Sequence, residues 1–230
     1  MTGSRVIRTA AAILFTLVVA RSAARAESPD STRVPVAVAL GQGSVLWIEG
    51  TSTMHDFESR SHDLALALER NPSAPDPRTS ADLLRLIRSA AIRAVVVRVP
   101  VASLHSEKSA LDKNLRKAMD AEHYPDVRFR LDHYDLAPGA ADRDTIGIHA
   151  GGSLTIAGKE RPIELAASAY PGEGGVWLEG SQGLRMSEYG IRPPTMMLGT
   201  LRVGDQVTVR YRLLLVPKGG ASSPSPNGNE

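Results

Sequence analysis

One stretch of the 230-residue chain gathers side chains able to do chemistry: Gly50-Thr-Ser-Thr-Met-His-Asp-Phe-Glu-Ser-Arg-Ser-His62. It holds a hydroxyl at Ser52, histidines at 55 and 62, and acids at Asp56 and Glu58. A serine hydrolase sets its nucleophile on a strand-to-helix elbow of the form G-x-S-x-G and brings a histidine and an acid to it; Gly50-Thr-Ser-Thr-Met lacks the last glycine. His55 and His62 stand seven residues apart, which is not the spacing that puts two metal ligands on one helical turn. The chain has no H-E-x-x-H and no cysteine. The other histidines, His105, His123, His133 and His149, fall one to an element. No catalytic residue, metal site or cofactor is therefore expected. The alternative kept open is an exported hydrolase using Ser52 and His55 with Asp56 or Glu58.

The elements that position these residues are mostly strands. Period-two runs occur at 44–50, 62–69, 92–101, 126–136, 145–158, 161–170, 175–186 and 205–216, separated by turns rich in Gly, Pro or Asp. Eight strands at this spacing predict an all-β antiparallel barrel or sandwich. Parity sorts the faces: Val127, Phe129, Leu131 and His133 inward against Arg128, Arg130 and Asp132, and Val207, Val209, Tyr211 and Leu213 inward against Thr208, Arg210 and Arg212. Leu64, Leu66 and Leu68 form a third inward row. Two segments carry helical spacing instead. Ala81–Ala91 places Leu83, Leu84, Ile87 and Ala91 on one face after a proline-rich loop. In SALDKNLRKAMDAEHYPDV, Ser109 and Asp112 form a capping-box pattern, Leu111, Leu115, Ala118 and Met119 share a face, and Tyr124-Pro125 is the expected stop.

Both ends differ from this middle. Residues 1–26 place Arg5 and Arg8 ahead of the apolar block 10–20 and end in Ala24-Arg25-Ala26, the pattern of a Sec-type signal peptide cleaved after Ala26. The block is about half the ~20 residues that span a bilayer, so the mature protein is expected to be periplasmic and not membrane-spanning. Residues 27–39 read as a leader, 40–216 as the barrel domain, and 217–230, rich in Pro, Gly and Ser, as a disordered tail. The formal charge of +2 belongs to the signal, which holds four of the 27 basic residues and none of the 25 acidic ones; 23 remain against 25. A mildly acidic chain gives no reason to expect nucleic acid as a partner. An exported chain without cysteine has no disulfides, so packing must hold it.

An eight-stranded barrel is either filled by its side chains or holds one small ligand. Ten aromatics (three Phe, two Trp, five Tyr) against many Val, Leu, Ile and Ala give medium-sized inward residues. From pattern alone a filled interior and an open one are both allowed. A filled barrel serving as a stress-response or interaction module, with residues 71–91 as its contact, is the third reading.

The order of the motifs carries a resemblance. IEGTSTMHDFESRSHDL (48–64), VPVASLHSEKSALDKNLRKAMDAEHYPDVRFRL (99–131), GGSLTIAGKERPIELAA (151–167) and GLRMSEYGIRP through VTVRY (183–211) resemble the YceI-like family of exported bacterial proteins that bind lipid or polyisoprenoid. The sharpest pieces are E-H-Y-P-D-V-x-F and G-x-L-T-I-x-G-K-x-R-P-I, and the likeness covers roughly residues 40–216. It implies a lipocalin-like eight-stranded antiparallel barrel, one or two short helices near its mouth, and an elongated apolar channel. The implied function is a carrier for a polyisoprenoid or other long-chain lipid, without catalysis; a homodimer is compatible with this.

Ser52, His55 and Phe57 match the family's S-x-x-H-x-F/W pattern at the end of the first barrel strand. Phe57 is then expected to pack inward, with Ser52 and His55 either hydrogen-bonding the turn or touching a polar head group. The residues expected to line the channel are Leu46, Ile48 and Phe57; Leu66 and Leu68; Val95 and Val97; Leu115 and Met119; Phe129 and Leu131; Leu154 and Ile156; Met186 and Tyr189; and Met196 and Met197. The insertion at 71–91 and the stretch Arg192–Met197 depart from the family pattern and bear on the channel's length and opening.

Overall fold

Alternating apolar and polar residues give each strand one face for a core and one for water, and in a computed structural model of the chain nearly every such run is a strand. The structure describes residues 33–53, 55–137, 145–196 and 201–218, with backbone alone at 195, 196 and 201. The predicted signal peptide and most of the tail lie outside these residues. In chain order the strands are β1 (Val34–Pro35), β2 (Val38–Leu40), β3 (Val45–Ser52), β4 (Phe57–Ser61), β5 (Ala65–Arg70), β6 (Ile92–Pro100), β7 (Asp126–Leu136), β8 (Ile146–Ile156), β9 (Lys159–Gly172), β10 (Gly175–Arg185), β11 (Thr195–Met196) and β12 (Leu201–Pro217). Helix α1 spans Ser80–Arg88 and α2 spans Ser109–Ala118. The strands form one curled antiparallel sheet in the order β1-β5-β6-β7-β8-β9-β10-β12-β3-β4, with β2 and β11 also on β12.

The sheet is drawn shut at both ends of the seam between β4 and β5. At one end β1 pairs with β5 and β2 with the end of β12, so residues 34–40, of which 34–39 read as part of a leader, bridge the two edges. At the other, Arg60 and His105 exchange backbone hydrogen bonds of 2.7 and 2.9 Å, joining β4 to the segment after β6. β4 itself escaped the sequence reading because its inward residues after Phe57 are Ser59 and Ser61, both buried, so it shows no apolar alternation.

Two bulges shift parity. Between Leu131 and His133 the register on β8 advances one residue while β7 advances two, leaving Asp132 unpaired. His133, expected inward, is therefore exposed, and Tyr134 takes the interior position instead. A second irregularity at the end of β5 brings Ile92 as well as Val95 inward.

The helices also differ from expectation at their ends. α1 carries the complete capping box: Thr79 Oγ1 accepts from Asp82 N (3.1 Å) and Asp82 Oδ2 accepts from Thr79 N (3.0 Å). The Ser109–Asp112 pattern does not form one, because the N-cap of α2 is Lys108 and the Asp112 carboxylate instead accepts from Ser106 N (2.8 Å) and Ser106 Oγ (2.6 Å). α2 stops at Ala118, before Tyr124-Pro125: Asp120 adopts φ 50°, and Asp120 N and Ala121 N donate back to Lys117 and Arg116 carbonyls, a left-handed C-terminal cap.

Apolar side chains divide into two clusters along the strands. One gathers Leu68, Ile146, Ile148, Val176 and Leu215 with Leu83, Leu84, Leu86 and Ile87 of α1. The other gathers Val101, Leu104, Ile156, Leu184 and Val207 with Met119, Tyr189 and the α2 residues Leu115 and Ala118. On β8 the first occupies 146–150 and the second 154–156, so α1 and α2 sit at opposite ends of the barrel rather than together at the mouth.

Candidate functional site

Between the two clusters the inward rows enclose a cavity of about 280 Å³. That is more than tenfold the ~10–15 Å³ in which one water fits, and close to the lower end of the ~300–1,000 Å³ of typical ligand pockets. Its wall is hydrocarbon and thioether apart from Gln182, Arg185 and the hydroxyls of three tyrosines. Burial pushes the phenols of Tyr134 and Tyr189 up, and that of Tyr211 up to about 12, so all three stay neutral. The Tyr134 hydroxyl donates to Ile87 O at 3.0 Å. The wall is thus uncharged until Arg185, which is exposed at the end nearer α2.

Every expected lining residue whose side chain is described faces this cavity. β3 contributes Leu46 and Ile48, β4 Phe57, β5 Leu66 and Leu68, β6 Val95 and Val97, β7 Phe129 and Leu131, and β8 Leu154 and Ile156. Leu115 of α2 and Met119 just after it close in from one end, with Met186 and Tyr189 from the short 3-10 turn after β10. Of Met196 only the backbone is described, paired with Leu201, and Met197 lies outside the described residues. The expected lining set left out the walls from β9 (Ile163, Leu165, Ala167), β10 (Leu178, Leu184) and β12, although parity had already turned Val207, Val209, Tyr211 and Leu213 of β12 inward and the same rule finds the others. It could not find Ile87, because nothing in residues 71–91 says which end of the barrel the helix reaches.

Three of the lumen's aromatics sit against glycines. The Phe57 ring covers its cross-strand partner Gly50, where a Cβ would come within 2.7 Å of Cε1. Tyr211 covers its partner Gly180 in the same way, and Phe129 covers Gly152. A ring seated on a residue without Cβ occupies less of the space at the barrel's centre. Outside the barrel, Tyr124 lies on Gly158 (Cζ 2.6 Å from a Cβ built there), which has φ 73° in the β8–β9 turn. The two sharpest motifs of the chain therefore pack on each other.

The opening motif is the β3–β4 hairpin end. Ser52 Oγ donates to the carbonyl of His55 (2.6 Å) and accepts from its backbone N–H (3.3 Å), so the hydroxyl caps the turn and does not address the imidazole. His55 Nε2 meets Lys108 Nζ at 3.1 Å, an ammonium and not an acid. Neither residue lines the cavity. Of the two readings left open, the structure supports the turn-bonding one. Among the described residues no three His, Asp or Glu side chains are placed to hold a metal ion, and no helix is long and apolar enough to cross a membrane.

Beyond its own geometry, the chain is similar in fold to two solved structures. The Burkholderia cenocepacia protein BcnA shares 16% identity at a TM-score of 0.55, with 74% of this chain and 94% of that one covered. A polyisoprenoid-binding domain from Saccharophagus degradans, implicated in plant cell wall breakdown, shares 10% identity at a TM-score of 0.56, with 79% and 99% covered. None of the curated proteins matches in sequence. The YceI-like domain model matches residues 43–215, the span from the turn before β3 almost to the end of β12, and the chain belongs to that family.

Proposed function

We propose that the protein is a periplasmic binding or carrier protein that holds one long apolar ligand, a polyisoprenoid or other long-chain lipid, in the barrel lumen and performs no catalysis on it. The observation that carries this is the cavity itself: about 280 Å³ walled by hydrocarbon, with neutral phenols and a single charged side chain at one end. Membership of the YceI-like family and the likeness in fold to a polyisoprenoid-binding domain support the choice of ligand class. Each buried methylene-sized group contributes ~0.8 kcal/mol, so a chain of about sixteen carbons gains ~13 kcal/mol and reaches micromolar binding after an ordering cost of ~4 kcal/mol without a specific polar contact. The site should then discriminate by length and width more than by head group. Native mass spectrometry of protein from its own host is expected to show lipid-sized adducts, and their repeated absence overturns the reading. Intact mass of the same sample is expected to begin at Glu27, as cleavage after Ala26 requires.

The hydrolase alternative is disfavoured by the Ser52 hydroxyl bonding the His55 carbonyl. His55→Ala is expected to leave hydrolysis of generic esters at its background level. A filled interaction module is disfavoured by the size of the cavity.

A further inference from the structure

We infer that α1 is the floor of a one-ended lumen and that Ile87 sets the length of chain the lumen accepts; this rests on the apolar-ligand reading above. In sequence α1 links neighbouring strands β5 and β6, yet it packs against β9, β10 and β12 on the opposite wall, which it reaches only by crossing the barrel's end. Leu83, Leu84 and Leu86 are buried in the cluster that seals this end, and Ile87, itself 2% exposed, is the α1 residue that faces the cavity.

The floor is fastened on three sides. The Thr79–Asp82 capping box holds its first turn, the Tyr134 hydroxyl donates to the Ile87 carbonyl in its last, and the Arg70 guanidinium ties the preceding loop through the Asn71 carbonyl at 3.2 Å and that of Ala74. At the opposite end the wall runs out to half-buried Gln182 and exposed Arg185, so a chain enters there and stops at Ile87.

Depth follows from strand geometry. Ile148 to Ile156 on β8 brackets the lumen; eight residues at ~3.3 Å each, tilted ~40° to the barrel axis, give a depth of ~20 Å. An extended alkyl chain advances ~1.25 Å per carbon, so about sixteen carbons, or about four isoprene repeats, reach the floor.

The test is a series of linear primary alcohols from decanol to tetracosanol, titrated by displacement of a fluorescent apolar probe from the full mature chain. Affinity is expected to rise by up to about fourfold per added carbon and then go flat near sixteen. Ile87→Val, which keeps the fold, is expected to move the break about one carbon longer, and Ile87→Phe about two carbons shorter. Val97→Ala, in the side wall, is expected to change affinity at every length and leave the break in place. A break that ignores residue 87 while alcohols still bind, or one that moves as much with Val97→Ala, overturns the floor assignment alone. Failure of every alcohol to bind overturns the ligand reading itself and the floor with it.

Discussion

The two ends of the barrel carry helices of similar length and opposite construction. α1 is capped by a complete Thr79–Asp82 box and buries Leu83, Leu84, Leu86 and Ile87. α2 has no side-chain cap at Lys108, and its one buried residue is a charged one, Asp112, held by Ser106 and, at 3.4 Å, by His105. Apolar burial across four side chains gives an end that opens only with the whole core. A single polar latch gives one that opens locally, since segments with few buried apolar contacts exchange at free energies far below global unfolding. The comparison separates a fixed floor from a movable rim, which is the division of labour that the proposed carrier role needs.

The comparison breaks first if truncation fails to tell the ends apart. Leu83→Ala, at a site with no exposure, is expected to cost about 3 kcal/mol in urea unfolding, whereas Leu115→Ala, half-buried on α2, should cost under about half of that. Equal losses would make both ends core. Gly50→Ala is expected to cost about 1–3 kcal/mol and to drive the Phe57 ring into the lumen; weaker probe binding at unchanged fold is the reading that checks it. Tyr134→Phe removes the hydroxyl that holds the α1 carbonyl and should cost about 1 kcal/mol, with faster hydrogen exchange in α1 but not in α2.

The smallest effect is one of pH. Burial alone would push the Asp112 carboxyl up, but the two hydrogen bonds from Ser106 together with the His105 imidazole outweigh it and hold it below its ordinary 3.8. Its contribution is therefore complete above pH 3.8 and is lost as pH falls through the depressed folded value. Asp82 is held low as well, first by Thr79, so both helix starts loosen on acidification. Only α2 lacks the apolar burial to compensate, so its amides should lose exchange protection at a higher pH than those of α1.

Much of the wall was legible in the sequence because parity is a local property: a residue's neighbours two places away share its face, and Leu46 with Ile48 or Leu154 with Ile156 announce themselves. Legibility failed where a position was set by a distant partner. His133 and Tyr134 exchange roles because β8 slips by one residue against β7, and nothing in DHYD records that slip. Phe57-Glu-Ser-Arg-Ser61 is a strand whose inward serines show no hydrophobic alternation. Both helix starts carry a hydroxyl followed three residues later by an aspartate, but Asp112 finds Ser106 and leaves Ser109 without its box.

The amino-acid sequence by itself determined an all-β antiparallel chain with an apolar inner face, because strand period is encoded over a few residues. The tertiary structure alone decided that the interior encloses about 280 Å³ and that residues 80–88 seal one of its ends. Whether inward rows meet or stand apart depends on sheet curvature, bulges and rings seated on glycines across strands, and these are relations between residues far apart in the chain.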